Sequence, residues 1–174
     1  MKSLYYTIID TSPFKTMLVL DLQGVLYYAS LGSSQLHLQK TLVTDFRRVK
    51  EYRLKPLSTI KTDKTEISDT VEKFKQLVAN PKEDKQIPVE IIFGTLLQKK
   101  VWQHLRRIKP GETRTYKDMA DTLGTHSRVI GNCCGANRIA VIIPCHRVLG
   151  SSGQVTGYRY GTKIKEYLLN LEKL

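Results

Sequence analysis

Apolar and polar positions alternate through the first thirty residues. Stretches 4–9, 16–22 and 25–30 are rich in Tyr and β-branched side chains, and this pattern predicts three strands. Asp10-Thr11-Ser12-Pro13 and Asp21-Leu22-Gln23-Gly24 supply turn residues between them, so the segment reads as a meander. From Ser33 or Ser34 the period changes. Leu38, Leu42 and Phe46 recur at i, i+4 and i+8, predicting a Ser-capped helix to about Arg48. Residues 50–66 are polar and irregular, with Pro56 among them, and are expected to be loop. Val71, Phe74, Leu77 and Val78 predict a second helix over 68–79. Asn80-Pro81-Lys82-Glu83-Asp84-Lys85 has no apolar residue to bury and reads as a linker, dividing the chain into domains 1–85 and 86–174.

The second half is predicted to be mainly helical. Residues 87–93 form a short strand or extended arm. Thr95 then caps a helix to about Arg107, with Leu97, Val101, Leu105 and Ile108 as its apolar stripe. Lys109-Pro110-Gly111-Glu112 ends it. A short helix over 115–123 stops at Gly124, and another runs from His126 or Ser127 to about Ala136. Two short helices around a Gly-containing turn make a helix-turn-helix pattern, although ordinary helical hairpins look the same. The last helix, 162–171, is expected to bury Ile164, Tyr167, Leu168 and Leu171.

At 174 residues the chain can bury an adequate core without staples. Its three cysteines, Cys133, Cys134 and Cys145, offer no spaced pairs for a disulfide framework, which predicts a reducing, cytoplasmic setting. No apolar run approaches transmembrane length and no signal-peptide core opens the sequence, so no membrane role is expected. The net charge of +12 is uneven. Residues 1–87 hold 14 Lys+Arg against 10 Asp+Glu, or +4; residues 88–174 hold 14 against 6, or +8. A basic second half suits a polyanionic partner, nucleic acid before membrane, but a basic surface alone decides nothing.

Candidate chemistry concentrates in Ile142-Ile143-Pro144-Cys145-His146-Arg147-Val148-Leu149. Cysteine is the strongest side-chain nucleophile when held as thiolate, and the adjacent imidazole and guanidinium could favour that form. A buried structural cysteine is the commoner case. Val141-Ile142-Ile143 is expected to hold the site as a rigid buried run. Adjacent side chains of an extended segment diverge, so His146 would reach the thiol through a water or a bend. A histidine base needs an acceptor on its other nitrogen; Glu172, near the stripe of the last helix, is the candidate, though its residue context favours an exposed side chain. Arg128, in the first turn of a helix, gains nothing from the helix dipole; a phosphate or base could account for it, as could solvation. Tyr116 is core filler or a phenol donor. Asn137 suits a helix end or turn. Cys133 and Cys134 with His126 lack metal-ligand spacing.

These residues resemble the O6-alkylguanine-DNA alkyltransferase family (methylated-DNA–protein-cysteine methyltransferases). The match is densest from Gly94 to Glu172: Gly94-Thr95, Gln98, Val101-Trp102, Gly111, Tyr116, Ala120, Ser127-Arg128, Gly131, Asn137, the run Ile143 to Val148, Gly157-Tyr158, Gly161 and Glu172. The resemblance implies an α+β fold, with a small RNase H-like sheet-plus-helix domain followed by a helical domain bearing a winged helix-turn-helix. It implies irreversible, single-turnover transfer of the alkyl group from O6-alkylguanine, and from O4-alkylthymine, in double-stranded DNA to Cys145 after base flipping. His146 would deprotonate Cys145 through a water, oriented by Glu172. Asn137 would be the hinge between recognition helix and active-site strand. Tyr116 would help rotate the nucleotide and donate to the departing guanine, and Arg128 would fill the gap in the duplex. Thr95, Ser127, Gly131 and Ala136 would also face DNA, with the small-residue helix entering the minor groove. Cys134, Val148, Tyr158 and Arg159 would line the substrate pocket. No cofactor or metal is implied, since the N-terminal Cys/His set of zinc-bearing members is missing. A monomer is implied, with cooperative assembly on DNA left open.

Three positions depart from the family pattern. Leu97 replaces a phenylalanine, expected to be a core change. Arg138 stands where proline is common, and Arg159 where a serine often hydrogen-bonds the alkyl oxygen. Two other readings of the residues remain: a Cys-His hydrolase, which would need an oxyanion hole, and a non-catalytic DNA-binding regulator or lesion sensor, which the cysteine itself argues against. No second thiol is expected to be placed to remove a thioether from Cys145, so one event per molecule is expected.

Overall fold

The computed structural model describes residues 1–61, 64–83 and 85–173 and is a mixed α+β structure of two compact units. Met1–Ala79 with Glu83–Ile92 form the first; Asn80–Lys82 with Phe93–Leu174 form the second. The expected division at 85/86 therefore moves to 92/93. The cause is backbone pairing: Leu26 N donates to the Pro88 carbonyl (2.8 Å) and Glu90 N to the Leu26 carbonyl (3.0 Å). The arm 87–93 is extended, with one bridge at Val89. Asp84 of the expected linker lies outside the described residues.

In the first unit, strands β1 (Lys2–Thr11), β2 (Phe14–Leu20) and β3 (Leu26–Gly32) form the expected antiparallel meander. Asp21 builds the second turn by accepting from the backbone of Gln23 and Val25. Gly24, at φ +79°, lies where a Cβ would strike the Glu66 carbonyl, so this turn requires glycine. Ser34 caps helix α1 (Gln35–Phe46), which buries Leu38, Leu42 and Phe46. The polar stretch after it is not all loop. Strand β4 (Tyr52–Pro56) pairs parallel with β1, giving the order β3-β2-β1-β4. It eluded the pattern because it is an edge strand whose residues are at most half-buried. Helix α2 (Thr65–Ala79) starts earlier than expected and buries Ile67, Thr70, Phe74 and Val78, leaving Val71 and Leu77 half-buried.

In the second unit, Thr95 and Gln98 form a reciprocal capping box at helix α3 (Leu96–Leu105). Its buried stripe is Val101, Trp102 and Leu105, continued by Ile108; Leu97 is 48% exposed, so the departure there is a surface change, not a core one. Trp102 Nε1 donates to the Cys133 carbonyl at 2.7 Å, tying α3 to the helix that holds Cys133. Gly94 leaves room for that ring, since a Cβ would come within 2.5 Å of it. Strand β5 (Arg114–Thr115) leads through a Thr115–Asp118 capping box into α4 (Tyr116–Leu123), which ends at Gly124 in the left-handed region. Helix α5 is Ser127–Gly135, and strand β6 (Val148–Leu149) pairs parallel with β5. Helix α6 (Thr162–Glu172) buries Lys165, Leu168, Leu169 and Glu172, while Ile164, Tyr167 and Leu171 are only half-buried. Among the described residues no helix is long and apolar enough to cross a membrane.

Candidate active site

Residues 141–143 do not form the expected strand. Val141 has φ +73°, a left-handed conformation that a β-branched residue adopts only under strain. Ile142 N donates to Ala140 O, Ile143 N to Ile139 O and Cys145 N to Ile143 O, all within 3.1 Å. The chain thus coils tightly into a 3-10 turn, Cys145–Arg147, before β6. That turn sends three adjacent side chains into different surroundings.

Asn137 fixes the approach to the turn. Its Nδ2 donates to the Ile143 carbonyl at 2.9 Å and to Cys145 Sγ at 3.3 Å, and its Oδ1 accepts from Ile139 N at 2.8 Å. Its own backbone N donates to the Cys134 carbonyl, and its carbonyl accepts from the Tyr160 hydroxyl. Asn137 therefore ties the end of α5 to a turn, in place of the strand expected. Arg138 and Arg159 each donate to the Gly135 carbonyl, at 3.3 and 3.4 Å, where the C-terminal dipole of α5 favours cations.

His146 and Arg147 turn away from the thiol, toward α6. His146 Nε2 donates to Glu172 Oε2 at 2.9 Å. Arg147 donates through Nε to both Glu172 oxygens (2.9 and 3.1 Å), through Nη2 to Oε2 (2.7 Å), and through Nη1 to the Ile108 carbonyl (2.6 Å). Glu172 is buried, contrary to its sequence context. Burial alone would raise its pKa, but bonds from His146 and Arg147 override this and bring it down to about 2. Burial lowers the pKa of His146, so the imidazole is neutral near pH 7. With the Nε2 proton donated in a hydrogen bond to Glu172, Nδ1 carries the lone pair; it is buried and has no protein hydrogen-bond partner among the described residues. The guanidinium thus supports the carboxylate, not a thiolate on Cys145.

Burial, followed by the hydrogen bond of the Cys145 thiol to Cys134, raises the Cys145 pKa well above its ordinary value; Asn137 and the charge of Lys165 pull it down. The resting sulfur is accordingly a thiol. A second thiol, that of Cys134, sits beside it. Lys165 escaped the sequence reading altogether. It is fully buried, and its Nζ donates to the carbonyls of Val148 (2.6 Å), Thr156 (2.8 Å) and Gly157 (3.2 Å), 5.6 Å from the Tyr116 ring centroid. Burial lowers its pKa, against the pull of Cys134 and Cys145.

A cavity of about 290 Å³ brings together Cys145, Cys134, Tyr116, Gly131, Tyr158 and Arg159. Burial pushes the Tyr116 phenol up to about 12, with Cys134 and Cys145 adding to the effect. Burial likewise raises Tyr158, whose ring meets Tyr160 edge-on at 5.3 Å. Tyr116 and Gly131 also line an adjoining groove of about 320 Å³ with Ser127 and Arg128. Thr95 and Ala136 line neither, and Val148 is fully buried with its carbonyl already engaged by Lys165. Among the described residues no group of three or more His, Cys, Asp or Glu is placed to hold a metal ion.

Residues 96–174 match the family described as 6-O-methylguanine DNA methyltransferase, DNA binding domain. The chain is similar to a methylated-DNA–protein-cysteine methyltransferase of Candida albicans, 56% identical over 172 residues that cover 99% of this chain and 98% of that protein. It is 45% identical to the protein of the same name from Scheffersomyces stipitis, over 99% of this chain and 94% of that one. A Mycobacterium tuberculosis OGT solved in complex with DNA superposes with a TM-score of 0.73 at 29% identity, covering 97% of this chain and 92% of that one.

Proposed function

Because this chain belongs to the methylated-DNA–protein-cysteine methyltransferase family, we propose that it repairs alkylated DNA by accepting on Cys145 the alkyl group carried on O6 of guanine. The observation that carries the reading is a cavity-lining thiol followed in sequence by a neutral imidazole whose basic nitrogen has no protein partner among the described residues.

Cys145 Sγ displaces guanine from the alkyl carbon: the S–C bond forms as the C–O6 bond breaks, and its electrons stay on guanine. His146 Nδ1 takes the thiol proton through one bridging water. Glu172 holds the tautomer that makes Nδ1 the base, and its negative charge offsets the imidazolium that forms. Arg147 positions Glu172. Tyr116, protonated up to about pH 12, donates to the departing guanine, and the Lys165 ammonium close by favours the negative charge developing there. The product is a thioether. The Cys134 thiol cannot undo it, because a neutral thioether lacks the leaving group that lets disulfides exchange, so each molecule acts once.

Chemistry at O6 needs the base outside the stack. Helices α4 and α5 act as a winged helix-turn-helix, with α5 in the minor groove; its small residues permit close approach. Arg128 lies one groove from the cavity, beside Tyr116, and takes the gap left by the flipped nucleotide. Thr95, Ser127, Gly131 and Ala136 contact the duplex backbone. The basic second half supplies affinity that is independent of sequence and falls with salt. In the first unit, the order β3-β2-β1-β4, with β4 parallel to β1, suits an RNase H-like domain. The reading is tested by incubating the protein with duplex DNA containing O6-methylguanine. A mass gain of one methylene unit on the Cys145 peptide is expected, and its absence at stoichiometric DNA would overturn the reading.

A further inference from the structure

Building on this alkyl-transfer reading, we propose that Arg159 adapts the cavity to O6 substituents that bear a carboxylate, with carboxymethyl as the simplest. Arg159 is the one charged side chain among the described residues lining the cavity. The rest of the wall is two tyrosines, two thiols and three glycines. The guanidinium lies by the Gly135 carbonyl (3.4 Å) and the Tyr160 ring (5.7 Å to its centroid). The wall leaves space: a Cβ placed on its glycines Gly131, Gly135 or Gly157 would meet nothing within 4 Å, and Gly135 is the one whose carbonyl the guanidinium meets.

A methyl group uses neither that space nor that charge, and holding a cation against neutral alkyl surface is unfavourable. A carboxylate uses both. The planar five-donor guanidinium matches it in shape, and charge-assisted bonds are roughly twice as strong as neutral ones. The cation also answers a difficulty of the displacement. A thiolate attacking the carbon next to a carboxylate brings two negative charges together in a site of low polarity, and a guanidinium at the rim offsets that repulsion.

The step is balanced. The Cys145 proton leaves, Sγ bonds to the CH2 of the O6-CH2-COO⁻ group, and the C–O6 electron pair remains on guanine, which takes up one proton. The products are S-carboxymethyl-Cys145 and intact guanine, with the carboxylate unchanged.

The test uses three duplexes of one sequence, carrying O6-carboxymethylguanine, its neutral near-isostere O6-carbamoylmethylguanine, or O6-methylguanine. Single-turnover transfer is followed by intact mass. The carboxymethyl duplex should react faster than the carbamoylmethyl one by about tenfold, the size expected of one charge-assisted bond. Arg159→Ser should bring the ratio to about one or below, and Arg159→Lys should restore part of it. A wild-type ratio near one, or a ratio unchanged in Arg159→Ser, overturns the proposal. Methyl transfer without that preference leaves the alkyl-transfer reading standing, whereas no adduct from any duplex overturns both. Should Arg159→Ser not fold, salt decides: DNA binding weakens alike for both duplexes, so a preference due to charge falls as ionic strength rises, and a salt-independent ratio overturns the proposal.

Discussion

Cys145 and its two successors occupy one short turn, yet their surroundings differ in kind. His146 and Arg147 enter a buried, charged cluster in which Glu172 accepts from both at 2.7–3.1 Å. Cys145 looks into a roomier cavity, where its sulfur accepts from the Asn137 amide and meets the Cys134 thiol. The charged cluster fixes an imidazole rigidly at the cost of three buried ionisable groups. The cavity leaves the thiol protonated and adaptable. In the proposed mechanism reactivity comes from coupling the two regions, since neither holds a thiolate by itself.

The largest effect should come from the cavity region. Cys145→Ser replaces a thiol with a hydroxyl that ionises far less readily, and no adduct should be detected by mass, while binding to the lesion duplex persists. Loss of binding together with the adduct would show that the cysteine is structural.

Next comes the charged cluster. Glu172→Gln leaves the Arg147 guanidinium buried without its counter-charge, a change that costs about 3 kcal/mol in comparable buried pairs. Urea unfolding should register that loss. The same carboxylate dictates acid sensitivity. Its pKa is about 2 in the folded chain against an ordinary 4.5, so its contribution is complete above about pH 4.5 and is lost as pH falls through about 2. The lowered pKa of His146 acts with the same sign, its contribution being complete above about 6.5 and lost as pH falls. Wild-type stability should thus decline steadily on acidification. In Glu172→Gln the portion between about pH 4.5 and 2 should vanish; an unchanged acid limb would mean that other carboxylates govern it.

Lys165 belongs to both regions, and Lys165→Met should fall below Glu172→Gln in effect. Three carbonyls lose their donor; two of them, at Thr156 and Gly157, are near the surface and can turn to water, so about 2 kcal/mol is expected. Faster amide exchange confined to residues 155–158 would mark the loosened segment, and exchange that rises evenly over the unit would argue against this local role.

Sequence pattern conveyed these regions unequally. The meander and helices α1, α3, α4 and α5 were readable because each has a strong period, a turn signal or an explicit cap, such as Ser34, Thr95 and Gly124. The Cys145 motif stood out by its residue types, and Glu172 was a candidate partner whose context favoured exposure until the resemblance added weight to it. Helix α6 misled because hydrophobicity was the only guide: the apolar set Ile164, Tyr167, Leu171 is half-buried, while the buried face carries Lys165 and Glu172 at i and i+7. Two ionisable groups on a buried face are invisible to an apolar count, although their shared spacing with Leu168 and Leu169 was a usable signal. Strands β4, β5 and β6 eluded the pattern for another reason. They are short or half-buried, and each exists because a distant strand pairs with it. The tight coil at Val141 had no local signal, because its sequence is that of a strand.

The smallest effect tests how far the cavity region sets the nucleophile's readiness. Cys134 raises the Cys145 pKa through a hydrogen bond and through charge, while Asn137 opposes it. Cys134→Ala removes the raising contact and leaves the Asn137 bond in place. The pH at which Cys145 becomes reactive toward iodoacetamide should then move down, while Asn137→Ala should move it up. Truncating a buried thiol should itself cost only about 1 kcal/mol, too little to disturb the turn. A midpoint that stays fixed in Cys134→Ala would mean that burial alone holds the sulfur protonated. A downward shift, with urea stability nearly unchanged, would separate the two regions cleanly: the thiol tuned by its cavity neighbours, the base by α6.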